Sequence, residues 1–161
     1  MKIAIYIRQY TAENESILQQ LFSLFTPDDQ VYIEQEILSE LQLRSDKFNS
    51  AKSFASFEDL NPSYDVMLTI GGDGTLLKGI TYVRSLQIPI LGINAGRLGF
   101  LATAHKDDLP NVLEQLRKGD YQVVERSVIE AVFADTGEPV DTVNFALNEI
   151  TVTRKNTASM I

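Results

Sequence analysis

The stretch Asp65-Val66-Met67-Leu68-Thr69-Ile70-Gly71-Gly72-Asp73-Gly74-Thr75-Leu76-Leu77-Lys78 decides the architecture. Asp65–Ile70 is a short apolar run of the kind that forms a strand covered on both faces. Gly71-Gly72-Asp73-Gly74 interrupts it, and Thr75 is expected to open a helix carrying Leu76, Leu77, Ile80 and Val83. Strand, glycine-rich turn and helix in that order put Gly71–Thr75 at the carboxyl edge of a parallel sheet. That edge is where open α/β sheets bind their ligands.

The flanking sequence repeats the alternation. Lys2–Ile7 is a second apolar run, followed by a helix-period segment, Asn14–Phe25, that a Thr26-Pro27-Asp28-Asp29 break ends. Val31-Tyr32-Ile33 reads as a strand. Glu34–Leu60 is harder: Ile37, Leu38 and Leu41 suggest a helical turn or two, and the mixture after Arg44 reads as a loop. Downstream, Ile90–Ile93 is another strand, and a helix over about Asp107–Lys118 stops at Gly119, a C-terminal glycine. Alternating βα units imply a parallel sheet with helices packed on its faces, a three-layer α/β domain over residues 1–120.

After Gly119 the pattern changes. Tyr121–Ala134 and Val143–Thr153 are β-type segments around a turn-rich Asp135–Pro139, with no helix-period segment between them. Residues 121–161 therefore read as the first strands of a β-rich domain of sandwich type. About forty residues are too few for such a domain to stand alone, so it is expected to be incomplete.

Composition removes several classes. The 161 residues include no cysteine, which excludes disulfide frameworks, thiol nucleophiles and cysteine-ligated metals, and suits a cytoplasmic location. No apolar run approaches the roughly 18 residues of a membrane span. The early Arg8 and Gln9 are wrong for a signal-peptide core. With 14 basic and 22 acidic side chains the net charge is −8, a poor basis for nucleic-acid binding. The single histidine, His105, leaves no multi-histidine metal site, and no metal-ligand set is assigned. Asp107-Asp108 is read as serving a helix start. Arg97 and Arg126 suit either a phosphate or a surface ion pair.

The chemistry concentrates in the glycine turn. Glycines let a phosphate approach the backbone amides, and a helix start adds free N–H groups and a favourable dipole. Asp73 does not suit a pure anion cradle, because its carboxylate would repel phosphate unless it takes a cation or a hydroxyl proton. The plainer alternative is a tight turn with Asp73 capping the helix. Neither a G-x-x-x-x-G-K-[ST] loop nor a G-x-G-x-x-G fingerprint is present. The chain is therefore neither a P-loop nucleotidase nor an ordinary hydride-transferring dinucleotide enzyme.

Gly71-Gly72-Asp73-Gly74-Thr75 resembles the signature shared by NAD kinases, diacylglycerol and sphingosine kinases and, in variant form, phosphofructokinases. Leu91–Ala102, which contains Asn94-Ala95-Gly96-Arg97-Leu98-Gly99-Phe100, and Ala146-Leu147-Asn148-Glu149-Ile150 resemble the NAD kinase family in particular, in its order. Residue types alone leave Asn148 in a turn and Glu149 facing outward. The shared order of the three motifs favours a nucleotide site instead, with Asn148 reading adenine edges and Glu149 accepting from ribose hydroxyls.

The resemblance implies a Rossmann-like domain and an ATP-dependent kinase that phosphorylates the 2′-hydroxyl of the adenosine ribose of NAD. Asp73 would be the catalytic base. Gly74, Leu77, Lys78, Phe100, Asn148 and Glu149, with Asp73, would bind NAD. Gly71, Gly72, Gly74 and Thr75 would take the ATP phosphates, with Mg²⁺ or another divalent cation. It further implies a homo-oligomer, dimer or tetramer, and a β-rich continuation beyond residue 161. Two rivals remain: a kinase of the same signature acting on a lipid or sugar phosphate, and an inactive dinucleotide-binding fragment.

Overall fold

A computed structural model describes residues 1–96 and 99–153. Contacts divide the chain into two compact units, Met1–Val123 and Val124–Ile161.

The first unit is built on a six-stranded parallel sheet. Its strands are β1 (Lys2–Ile7), β2 (Gln30–Glu34), β3 (Lys52–Phe54), β4 (Val66–Ile70), β5 (Ile90–Asn94) and β6 (Ala104–His105). They lie in the order β3-β2-β1-β4-β5-β6. This is the doubly wound, Rossmann-like order, and it reverses between β1 and β4. The register there pairs Ile3 with Val66 and Ile7 with Ile70. The two strands therefore end side by side.

Four helices cover the sheet: α1 (Ala12–Leu24), α2 (Gln35–Arg44), α3 (Asp73–Val83) and α4 (Leu109–Lys118). Side-chain alternation on the central strands separates the two cores. Ile3, Ile5 and Ile7 of β1 and Val66, Leu68 and Ile70 of β4 pack with Ile17, Leu21, Leu38, Leu41 and Leu113 from α1, α2 and α4. Ala4, Tyr6 and Met67 point the other way, into a smaller cluster with Phe54, Leu60, Tyr64, Val83 and Ile88. Both faces of β1 and β4 are thus dry, which is why their sequences are apolar throughout rather than alternating.

Helix boundaries follow local chemistry. The Thr11 hydroxyl accepts from the Asn14 N–H at the start of α1. The Glu34 carboxylate accepts from the Glu36 and Ile37 amides at the start of α2. Gly119 ends α4 in the left-handed conformation, φ 68°. That confirms the stop expected there.

Several local expectations are corrected. The helix after the glycine turn begins at Asp73, two residues before Thr75. The segment left as a turn or two plus a loop holds the whole of α2, a 3-10 turn at Asp46–Phe48 and the edge strand β3. A 3-10 turn, Lys106–Asp108, precedes α4, which itself starts at Leu109.

Among its described residues the second unit contains one short antiparallel pair, β7 (Ile129–Glu130) with β8 (Phe145–Ala146), and a bridge from Val132 to Pro139. The β character read over Tyr121–Ala134 and Val143–Thr153 is therefore present only in short pieces. Val128, Ile129, Val132 and Phe133 are all about half exposed. Too little apolar surface is buried to extend the ladders.

Candidate phosphoryl-transfer site

The glycine turn leaves the end of β4 at the switch point of the sheet. Gly71 has φ +147°, a conformation that L side chains rarely adopt, and a β-carbon there would stand 2.4 Å from the Thr75 hydroxyl. Its N–H donates to the Ile93 carbonyl at 2.9 Å, which ties the turn to β5. Gly72 is the N-cap of α3, and no side chain caps that end. The Asp73 and Gly74 amides, which open α3, have no helix carbonyl one turn before them. Thr75 is buried beneath the turn, and its N–H donates to the Gly72 carbonyl.

Asp73 is the first residue of α3, and its side chain does not cap the helix. The plainer sequence alternative is thereby corrected. Instead the carboxylate reaches across to the loop after β5. Oδ2 accepts from the Phe100 N–H at 2.9 Å, and Oδ1 accepts from the N–H groups of Leu101 at 2.9 Å and Ala102 at 3.0 Å. These bonds, from Ala102, Leu101 and Phe100, hold the Asp73 carboxyl below the usual aspartate value. A negative charge in the first turn also complements the helix dipole.

The loop can approach so closely because residue 99 is glycine. A β-carbon on Gly99 would stand 2.2 Å from Asp73 Oδ1, 2.6 Å from Cγ and 2.8 Å from Oδ2. Asn94, buried at the end of β5, sets the start of this loop by accepting the Gly96 N–H on its side-chain oxygen. Arg97 lies outside the described residues.

The structure brings Gly71, Gly72, Asp73, Gly74, Thr75 and Phe100 together. Phe100 is 93% exposed, so its ring is a free apolar face and not core. Leu77 is half-buried on α3. Lys78 is exposed one helical turn beyond Gly74, on the same face. Asn148 and Glu149 belong to the second unit, where they are exposed just past β8 and not on a strand. Arg126 is exposed in the same unit. His105 sits on the edge strand β6 and pairs with Asp107 at 3.1 Å.

Two residues escaped sequence reading. One is Gly99. The other is Arg8, at the end of β1 on the opposite lip of the switch point. Its Nη1 lies 3.6 Å from where a β-carbon on Gly74 would stand. Its place just past the first strand was the available signal. Among the described residues no group of His, Asp or Glu side chains converges to hold a metal ion. No helix among them is long and apolar enough to cross a membrane.

Comparison with known proteins gives the family and the fold. Residues 5–121 match the model of the ATP-NAD kinase N-terminal domain. The NAD kinase of Flavobacterium psychrophilum is 39% identical over all of this chain, which covers 55% of that protein. The NAD kinase of Christiangramia forsetii is 42% identical, again over the whole chain and 55% of the relative. The chain thus spans about half the length of the curated relatives it matches. Among solved structures, yeast NADH kinase complexed with NADH shares the fold, with a TM-score of 0.75 at 20% identity over 92% of this chain and 44% of that one. A sheet of this order, the Gly71–Thr75 turn at its switch point and a family match over most of the chain lead to one assignment: the chain belongs to the NAD kinase family.

Proposed function

We propose that the protein uses ATP to phosphorylate the 2′-hydroxyl of the adenosine ribose of NAD, giving NADP and ADP. The observation that carries this reading is the Asp73 carboxylate, held by backbone amides at the switch point beside a glycine turn. In-line transfer forms the bond from the ribose 2′-oxygen to the γ-phosphorus and breaks the bond to the β,γ-bridging oxygen. The hydroxyl proton goes to Asp73, which orients the attacking oxygen. Gly71, Gly72, Gly74 and Thr75 line the donor phosphates at the turn and the start of α3, whose dipole favours an anion; the N–H groups of Gly71 and Thr75 themselves donate to the Ile93 and Gly72 carbonyls. Gly74, Leu77, Lys78 and Phe100 bind NAD; for Asn148 and Glu149 the same role rests on the resemblance of their motif alone.

Among the described residues, no group of His, Asp or Glu side chains converges to form a cation site of its own. A divalent cation is read as entering with the ATP phosphates, as part of the substrate. A chain free of cysteine fits a reducing compartment, and we place the enzyme in the cytoplasm. Family membership supports a homo-oligomer, dimer or tetramer, which sedimentation equilibrium would check.

Asp73→Asn keeps the size of the side chain and removes the base. NADP formation by the full-length protein is expected to fall on the order of 10²- to 10⁴-fold. Turnover retained within a few-fold would remove Asp73 from the role. A lipid or sugar phosphate accepting the phosphoryl group in place of NAD would move the protein to a different kinase of the same signature. Dinucleotide binding without transfer would make it a binding fragment.

A further inference from the structure

We infer that Gly99 is a positioning residue for the Asp73 carboxylate, and that the loop Gly99–Ala102 and the first turn of α3 act as one clasped unit. The inference rests on the proposed function for its catalytic consequence, but not for its geometry. Three amides in succession, from Phe100, Leu101 and Ala102, donate to one carboxylate that lies 27 to 29 residues earlier in the chain. Such a bond set fixes both the rotation and the position of the carboxylate.

The clasp leaves a defined remainder. An ionised carboxylate offers about four acceptor sites. Oδ1 uses two on Leu101 and Ala102, and Oδ2 uses one on Phe100. One site is left, on Oδ2, to receive a substrate hydroxyl. The same bond to the Phe100 amide ties the residue bearing the exposed ring to the reacting atom. Apolar wall and carboxylate therefore move together.

Closure depends on the missing side chain at residue 99. A methyl group there would overlap all three atoms of the carboxyl, at 2.2 to 2.8 Å. Either the carboxylate or the loop must then withdraw, and the amide bonds lengthen or break. Gly92 supports the clasp from below, since its β-carbon would stand 2.7 Å from the Ala102 α-carbon. The loop is thus packed directly on β5 at Gly92.

The test uses ¹⁵N-labelled full-length protein and two independent readouts. In the first, the amide signals of Phe100, Leu101 and Ala102 are followed against pH. They are expected to shift together, with one midpoint below the ordinary aspartate value of about 3.9. In Asp73→Asn this shared transition should vanish. In Gly99→Ala the midpoint should rise toward the ordinary value, because amides bonded to the charged form are lost. Amides that titrate independently in the unsubstituted protein, or keep the shared transition in Asp73→Asn, would overturn the clasp without any Gly99 variant.

The second readout is NADP formation. Gly99→Ala should lower kcat on the order of 10²-fold, the size expected for an ångström-scale misplacement. It should move the acid limb of kcat/KM to higher pH and add little in the Asp73→Asn background. If NADP formation proceeds and Gly99→Ala leaves kcat within two-fold and the acid limb in place, the positioning role fails. If the shared titration is seen but no NADP forms, the clasp stands and the proposed function fails.

Discussion

Asp73 illustrates how a single side chain can be visible in sequence while its environment is not. Its position inside a glycine turn between strand and helix marked it as the candidate base. Its partners lie 27 to 29 residues away, in the Leu91–Ala102 segment, whose family likeness gave Gly99 no role. Neither spacing nor residue type could show that Gly99 is required where it stands, or that Arg8 faces Gly74 across the switch point. Both follow from which strands neighbour each other. The environment also has a sign. Because the amides favour the charged carboxylate, the folded-state pKa lies below the unfolded value. The clasp is intact above the ordinary aspartate range and is lost as pH falls through the lowered folded value. Catalysis limited by Asp73 should therefore show no acid limb near neutral pH. A kcat/KM profile between pH 5 and 8 checks this, and a fall in that window traceable to Asp73, absent in its Asn variant, would contradict it.

At the scale of elements, the apolar strands and the helices with strong stripes were legible, because burial on both faces leaves no polar position. The parallel sheet and its layers followed from βα alternation. What was not legible had little burial to report. Strand β3 is three residues long at the sheet edge, and only Phe54 is buried, so it carries no period. Helix α2 is anchored by Ile37, Leu38 and Leu41 alone, and its cap comes from Glu34, an unusual capping residue. Close contact between elements is carried by glycines. Gly79 lets α3 rest on β4, where a β-carbon would stand 2.7 Å from the Thr69 methyl. Gly92 plays the same part between β5 and Ala102. Gly92→Ala meets backbone and cannot be relieved by a rotamer change, so a loss of about 1–3 kcal/mol is expected. Thermal or urea unfolding measures it, and an unchanged midpoint would show that the contact is looser than described.

For the whole molecule, stability rests partly on a buried ionic knot far from the site. Asp29, with its side chain only 2% exposed, accepts from the Met1 amino group and from Arg117 of α4, each at 2.8 Å, and from the Thr26 N–H. Burial alone would raise its pKa. Hydrogen bonds from the amino terminus, Thr26 and Arg117 outweigh that and hold it well below the carboxylate range. Its contribution is present above the unfolded value of about 3.9 and is lost as pH falls through the folded one. Asp29→Asn leaves Arg117 and the amino terminus without their anion and should cost about 2–4 kcal/mol near neutral pH. The deficit should narrow in acid, as measured by urea unfolding at pH 7 and pH 3. An equal deficit at both would contradict the ionic account.

The proposed activity is phosphoryl transfer from ATP to NAD by the full-length protein, with Asp73 as its proposed base. The most direct measurement follows labelled γ-phosphate from ATP with NAD as acceptor, using the full-length protein and its Asp73→Asn variant side by side. Label is expected in NADP with the first, and a loss on the order of 10²-fold or more with the second. No label in NADP, or equal label from both proteins, would contradict it.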